Sequence, residues 1–146
     1  MDPLSQAALG AVVPQLAPRT REVPRLVLVG ALAGMAPDLD VLIRSGSDPL
    51  LFLEYHRQFT HSLFFIPLGS LLCAGAFSVT IARGISFWLV WLAAFLGYAT
   101  HGLLDACTSY GTLLLWPFSD RRIAWDTIAV VDPLFTLPLL AAVLWG

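Results

Sequence analysis

The chain has 146 residues, of which 58% are hydrophobic and 12% charged, about half the charged fraction of a soluble globular domain. This balance excludes a disordered chain, which needs low hydrophobicity and high charge. The formal net charge of −2 likewise excludes a nucleic-acid module with a basic face, so the sequence reads as one membrane-embedded all-α domain over residues 1–146.

In chain order, residues 2–17 form an apolar helix interrupted by Pro14 and Pro18, either interfacial or packed on the bundle, followed by a polar joint of Arg19, Arg21, Glu22 and Arg25. Leu26 to Ala36 supplies 11 apolar residues before Pro37-Asp38-Leu39-Asp40. A full crossing must therefore extend to Ile43, and it is short or broken at Pro37. Residues 49–57 are predicted to be a short helix leading into Ser62 to Ala82, a run of 21 residues without a charge that Arg83 closes. That length suits a membrane helix of about 20 residues. Gly84 to Leu104 forms its antiparallel neighbour, because only Arg83 and Gly84 join them. Residues 106–129 read as an irregular loop. Val130 to Gly146 opens a fourth apolar segment with only 14 residues from Pro133 onward, so the chain reads as cut short. The fold class is thus an integral membrane helical bundle of about four membrane helices plus short interfacial ones.

Two smaller signals belong to this reading. Asp2-Pro3, Asp48-Pro49 and Asp132-Pro133 each precede an apolar stretch, with aspartate at the N-cap and proline at the first helical position. The two cysteines, Cys73 and Cys107, fall at different depths and are too few for a disulfide framework or a thiolate metal site.

Threading these segments through a bilayer places His56, His61 and His101 on one side with Asp38, Asp40, Asp105 and Asp132. An ionised aspartate at the bilayer centre costs about 2.5–3.5 kcal/mol. Such a group must be solvated, paired with arginine, or neutralised by a bound cation. Spacing favours the cation. His101 and Asp105 lie four apart on one helical face, with Cβ atoms about 5–6 Å from each other. Asp38 and Asp40 point the same way if the backbone there is extended, and a helix boundary at Thr60 lets His56 and His61 converge. Imidazole mixed with carboxylate suits Zn²⁺ or Mn²⁺ better than an all-oxygen site for Ca²⁺ or Mg²⁺. Each pair also has a plainer reading: a His–Asp hydrogen bond, a helix end, a solvated loop and, for Asp132, a simple N-cap.

These residues carry a family resemblance. Met1-Asp2-Pro3-Leu4-Ser5-Gln6, Pro37-Asp38-Leu39-Asp40, His56-Arg57-Gln58-Phe59-Thr60-His61-Ser62, His101-Gly102-Leu103-Leu104-Asp105 and Val131-Asp132-Pro133 resemble, in order, the YdjM-like family of inner-membrane metal-dependent hydrolases. The family is also associated with LexA binding. The resemblance implies that Asp38, Asp40, His56, His61, His101 and Asp105 occupy the family's motif positions in a bacterial inner membrane. It also implies a distant similarity to zinc-dependent phospholipase C. Many relatives carry a histidine near the N-terminus where this chain has Gln6, and many continue beyond the position of Gly146.

The resulting expectation is a hydrolase acting at the membrane surface on a phospholipid or other lipid-linked phosphoester. Its metal lowers the pKa of a bound water, Asp38 or Asp40 acts as general base, and Arg57 binds an anionic group. Two other classes compete with it. A transporter should carry polar groups through the full membrane depth, whereas the far half offers only Ser70, Cys73, Ser78, Thr80 and Ser86. A non-catalytic protein would use the same polar cluster to lock the bundle or recruit a partner.

Overall fold

The computed structural model describes residues 1–16, 20–48, 50–51 and 55–146. Residues 49 and 52–54 of the short helix predicted over 49–57 lie outside the described residues, as do Pro18 and Arg19. Five α-helices are described: α1 (Pro3–Gln15), α2 (Val23–Met35), α3 (Ile66–Ser78), α4 (Phe87–Ala106) and α5 (Pro133–Trp145). Two 3₁₀ helices, Ala36–Leu42 and Phe59–His61, lie between α2 and α3. Among the described residues there is no β-strand, and the segment between α4 and α5 is pinned by isolated bridges pairing Thr108 with Ile128 and Thr112 with Ile123.

Local chemistry sets the helix ends. The Asp2 carboxylate accepts hydrogen bonds from the Ser5 amide at 3.0 Å and the Ser5 hydroxyl at 2.7 Å, and Asp132 accepts from the Leu134 and Phe135 amides. Both cap helices whose first turn holds proline, which has no amide hydrogen to leave unpaired. α2 stops at Met35, because Pro37 cannot donate to the carbonyl four residues back. The chain then tightens into the 3₁₀ helix that carries Asp38 and Asp40.

The uncharged run from Ser62 to Ala82 gives a shorter helix than predicted, 13 residues from Ile66 to Ser78. At its start the Leu63 amide donates to the Leu114 carbonyl at 2.9 Å and the Phe65 amide to the Ser62 hydroxyl at 3.2 Å. These bonds draw the first residues away from helical geometry. At its end the Thr80 hydroxyl donates to the Ala76 carbonyl at 2.7 Å, and the chain reverses at Gly84, whose φ is +82°. Among the described helices, α4 alone is long and apolar enough to cross a membrane, with 20 residues or about 30 Å. α3 and α5 are apolar but only 13 residues long. The prediction of about four spans therefore narrows to one helix of membrane length.

α4 lies at the centre, in contact with α1, α2 and α3, and α5 rests on α1. Close backbone approach makes this possible. A Cβ on Gly97 of α4 would lie 2.2 Å from the Gly30 carbonyl oxygen of α2, and one on Gly10 of α1 would lie 2.3 Å from the same atom. Small residues at helix crossings are the usual device where water supplies no driving force between helices. The interior is correspondingly small or polar: Val29, Ala33, Ala74, Val90 and Ala94 are buried together with Gln6, His61, His101 and Asp105. The large side chains point outward, among them Leu68, Leu71 and Leu72 on α3 and Trp88, Leu89 and Leu92 on α4.

This packing predicts the effect of filling a helix crossing. Gly97→Val should lower stability by about 1–3 kcal/mol, seen as a reduced thermal midpoint in detergent. Gly75→Ala, where a Cβ meets nothing within 4 Å, should leave the midpoint unchanged or slightly raised.

Candidate metal centre

The described structure brings four of the six predicted ligands together. Asp38 comes from the 3₁₀ helix after α2, His61 ends the second 3₁₀ helix, and His101 and Asp105 lie on the last turns of α4. His61 Nε2 and His101 Nε2 are 2.9 Å apart. Asp38 Oδ1 lies 3.5 Å from the first and 3.3 Å from the second. Asp105 Oδ2 lies 3.3 Å from His61 Nε2 and 3.7 Å from His101 Nε2. A tetrahedral site with arms of about 2.0–2.1 Å has edges of about 3.3 Å, and the five distances straddle that value. One ligand atom from each of the four residues falls within 4.8 Å of the others.

The surrounding hydrogen bonds establish what these atoms present to one another. His101 Nδ1 faces the Gly34 carbonyl oxygen at 2.5 Å. A carbonyl only accepts, so Nδ1 carries the proton and Nε2 of the neutral ring offers a lone pair. His61 Nδ1 lies 2.9 Å from the Thr60 hydroxyl oxygen and 3.4 Å from Asp40 Oδ2. Thr60 donates its own proton to Asp40 at 2.9 Å, so His61 Nδ1 is the donor and its Nε2 also presents a lone pair when neutral. Asp105 Oδ1 accepts from Gln6 Nε2 at 3.1 Å and from the Met1 amino group. Its Oδ2 is buried without a hydrogen bond. Two imidazole lone pairs and two carboxylate oxygens therefore face a common point, the arrangement that a divalent cation satisfies. Without a cation, a proton must serve: burial opposes protonation of His61, but its contacts with Asp105 and Asp38 outweigh burial and raise its pKa above the usual histidine value.

Asp40 and His56 stand beside this cluster. Asp40 is 2% exposed, and its Oδ2 accepts the Arg57 amide at 3.0 Å as well as the Thr60 hydroxyl. Its Oδ1 is 2.8 Å from His56 Nδ1. Through His61 Nδ1, Asp40 orients a candidate ligand as an outer-shell carboxylate does. Asp38, Asp40 and His56 also each offer an atom within 4.8 Å of the others, so a second, smaller group shares Asp38 with the first.

Arg57 is 7% exposed. Its Nε lies 3.3 Å from Asp105 Oδ2, and its guanidinium stacks over the Tyr110 ring at 4.6 Å. Its backbone adopts φ +62°, which turns the amide toward Asp40 while the carbonyl accepts from the Leu113 amide at 3.2 Å. Asp132 caps α5 and Asp48 accepts the Leu50 amide at 2.9 Å; neither joins the cluster.

Sequence reasoning missed the supports of the site. Gln6 is fully buried and reaches both Asp105 and the His101 carbonyl, the latter at 3.4 Å. The first segment thus holds Asp105 in place; the available signal was Ser5-Gln6, two polar residues opening an otherwise apolar helix. Gly102 lets α4 approach the His61 backbone, where a Cβ would meet the carbonyl oxygen at 2.4 Å. Tyr98 donates to the Thr60 carbonyl at 3.0 Å, beside His61.

The geometry can be set beside known proteins. Residues 1–146 match the family model described as YdjM inner membrane protein. The chain is 35% identical to the Inner membrane protein YbcI of Escherichia coli (strain K12) over 111 residues, covering 73% of this chain and 63% of that protein. It is 29% identical over 118 residues to YfhP of Bacillus subtilis (strain 168), itself uncharacterized, covering 80% of this chain and 36% of that protein. The chain thus spans less than two thirds of the length of either relative. No solved structure matches.

The two tiers of residues predict different metal affinities. In metal titrations by calorimetry, His61→Gln and His101→Gln should abolish the tight site. Asp40→Asn should weaken it by about 10–100-fold, because it removes the carboxylate charge behind His61 and leaves the four ligand side chains in place.

Proposed function

The chain belongs to the YdjM inner membrane protein family, and from that premise we propose that it is a multi-pass, membrane-bound, metal-dependent hydrolase of a phosphoester or other lipid-linked substrate at the membrane surface. The observation that carries this reading is the convergence of His61 Nε2, His101 Nε2, Asp38 Oδ1 and Asp105 Oδ2 at one end of a bundle with a largely apolar exterior. The outward-facing leucines and tryptophans of α3 and α4 support burial of several helices in lipid, including those too short to span alone.

In this reading Asp38, His61, His101 and Asp105 hold a Zn²⁺ or Mn²⁺ ion. When bound, that ion supplies Lewis-acid polarisation of the scissile bond and a water of lowered pKa. The protein's own groups do the rest. Asp38 is the most open of the four, with 27% of its side chain exposed while the other three are closed, so substrate and water approach on its side. Its carboxylate would be placed to act as general base toward an attacking water. Asp40, also a candidate base by sequence, is saturated by donors from Arg57, Thr60 and His56 and acts by positioning His61. Arg57, fixed by Asp105 and Tyr110, is the cation we assign to the substrate's anionic group.

Hydrolysis of a phosphodiester by the purified protein should cease on chelation and return with Zn²⁺ or Mn²⁺. Asp38→Asn should lower kcat by at least about 100-fold while the protein stays folded. Turnover that survives chelation would count against the hydrolase. Unfolding of the bundle by His101→Ala would favour a purely structural role for the cluster.

A further inference from the structure

An apolar groove of about 610 Å³ runs between α2 and α3, within the range of small-molecule sites. Its walls include Leu32 and Met35 of α2 and Leu72, Cys73 and Phe77 of α3, and among the described residues Asp38 is the one carboxylate in its lining. That carboxylate is also the most open of the four candidate metal ligands. The groove therefore has one polar end, at the candidate metal ligand Asp38, and an apolar body between α2 and α3. Leu72 is 63% exposed and Leu32 38% exposed, so the groove opens sideways, toward the surroundings of the helices.

This shape restricts the occupant. Its volume of about 610 Å³ is smaller than two turns of a helix about 10–12 Å across, about 1,000 Å³. A soluble polar substrate would leave the apolar walls unmatched, and a wholly apolar molecule would leave nothing for Asp38 and the cationic centre beside it. An amphiphile satisfies both ends: an anionic headgroup at the metal and Arg57, and one hydrocarbon chain along the leucines. We propose that the groove between α2 and α3 seats a single hydrocarbon chain of a membrane phospholipid, which enters sideways from the bilayer and brings its phosphoester to Asp38. This rests on the reading of the site as a membrane hydrolase and adds a chain-binding determinant to it.

Cys73 reports on the groove without any need for turnover. In a Cys107→Ser background in digitonin, the rate of Cys73 alkylation by N-ethylmaleimide is measured with hexadecylphosphocholine and with butylphosphocholine, which share a headgroup. The long chain should slow alkylation by roughly tenfold or more, about 1.4 kcal/mol at saturating occupancy, and the short chain should not. No protection by the long chain, or equal protection by both, overturns the proposal. A second measurement uses Ala76→Trp, which fills the groove from α3. It should raise KM for a long-chain phospholipid by roughly tenfold and leave both metal affinity and hydrolysis of bis(4-nitrophenyl) phosphate unchanged. Loss of both activities together, or of neither, contradicts the chain seat. Protection of Cys73 in a protein that hydrolyses neither substrate would keep the chain seat and overturn the hydrolase.

Discussion

Four atoms bearing lone pairs, two of them on carboxylates, cannot crowd to within 4.8 Å of one another inside an apolar bundle unless positive charge lies among them. The rest of the structure depends on that constraint. Gly34 and Asp40 fix the tautomers of His101 and His61 so that both Nε2 atoms turn inward. Gln6 occupies one oxygen of Asp105 and leaves the other facing the imidazoles. Arg57, at 3.3 Å from Asp105, and the Met1 amino group, which also meets Asp105, bring two positive charges to the three carboxylates Asp38, Asp40 and Asp105. A divalent ion would satisfy the four facing lone pairs together.

The helix packing serves the same end. Side chains of ordinary size at Gly10, Gly30 and Gly97 would hold α1, α2 and α4 apart, and His101 could not then reach the Gly34 carbonyl. Gly102 plays the same part between α4 and the 3₁₀ turn that bears His61. Small residues inside and large ones outside are thus the means by which four groups from three segments reach one point. The same distribution leaves a leucine-rich exterior, for which lipid is the natural solvent.

Much of this was legible in the sequence. The PDLD, HRQFTH and HGLLD strings announced that acids and imidazoles meet at one end, because their positions at the ends of apolar runs allow few other threadings. The break at Pro37 and the caps at Asp2 and Asp132 follow from local chemistry. Two things did not follow. The run from Ser62 to Ala82 is uncharged throughout, so nothing local reveals that Leu63 bonds to Leu114, 51 positions away, and shortens the helix. Nor does residue type distinguish Asp38 from Asp40: both are aspartates two apart, and only the tertiary placement of Thr60, His56 and the Arg57 amide puts Asp40 behind His61. The role of Gln6 was hidden for the same reason: the relatives' histidine pointed to its position, but glutamine carries no ligand signature and here it holds a ligand.

The central claim, one cation held by two imidazoles and two carboxylates, is tested most directly by X-ray absorption spectroscopy of the purified, zinc-loaded protein. The account predicts about one metal per chain, with a first shell of nitrogen and oxygen at about 2.0–2.2 Å and outer-shell scattering from two imidazole rings. Absence of bound metal at stoichiometric level, or a shell that includes sulfur at about 2.3 Å, would contradict it.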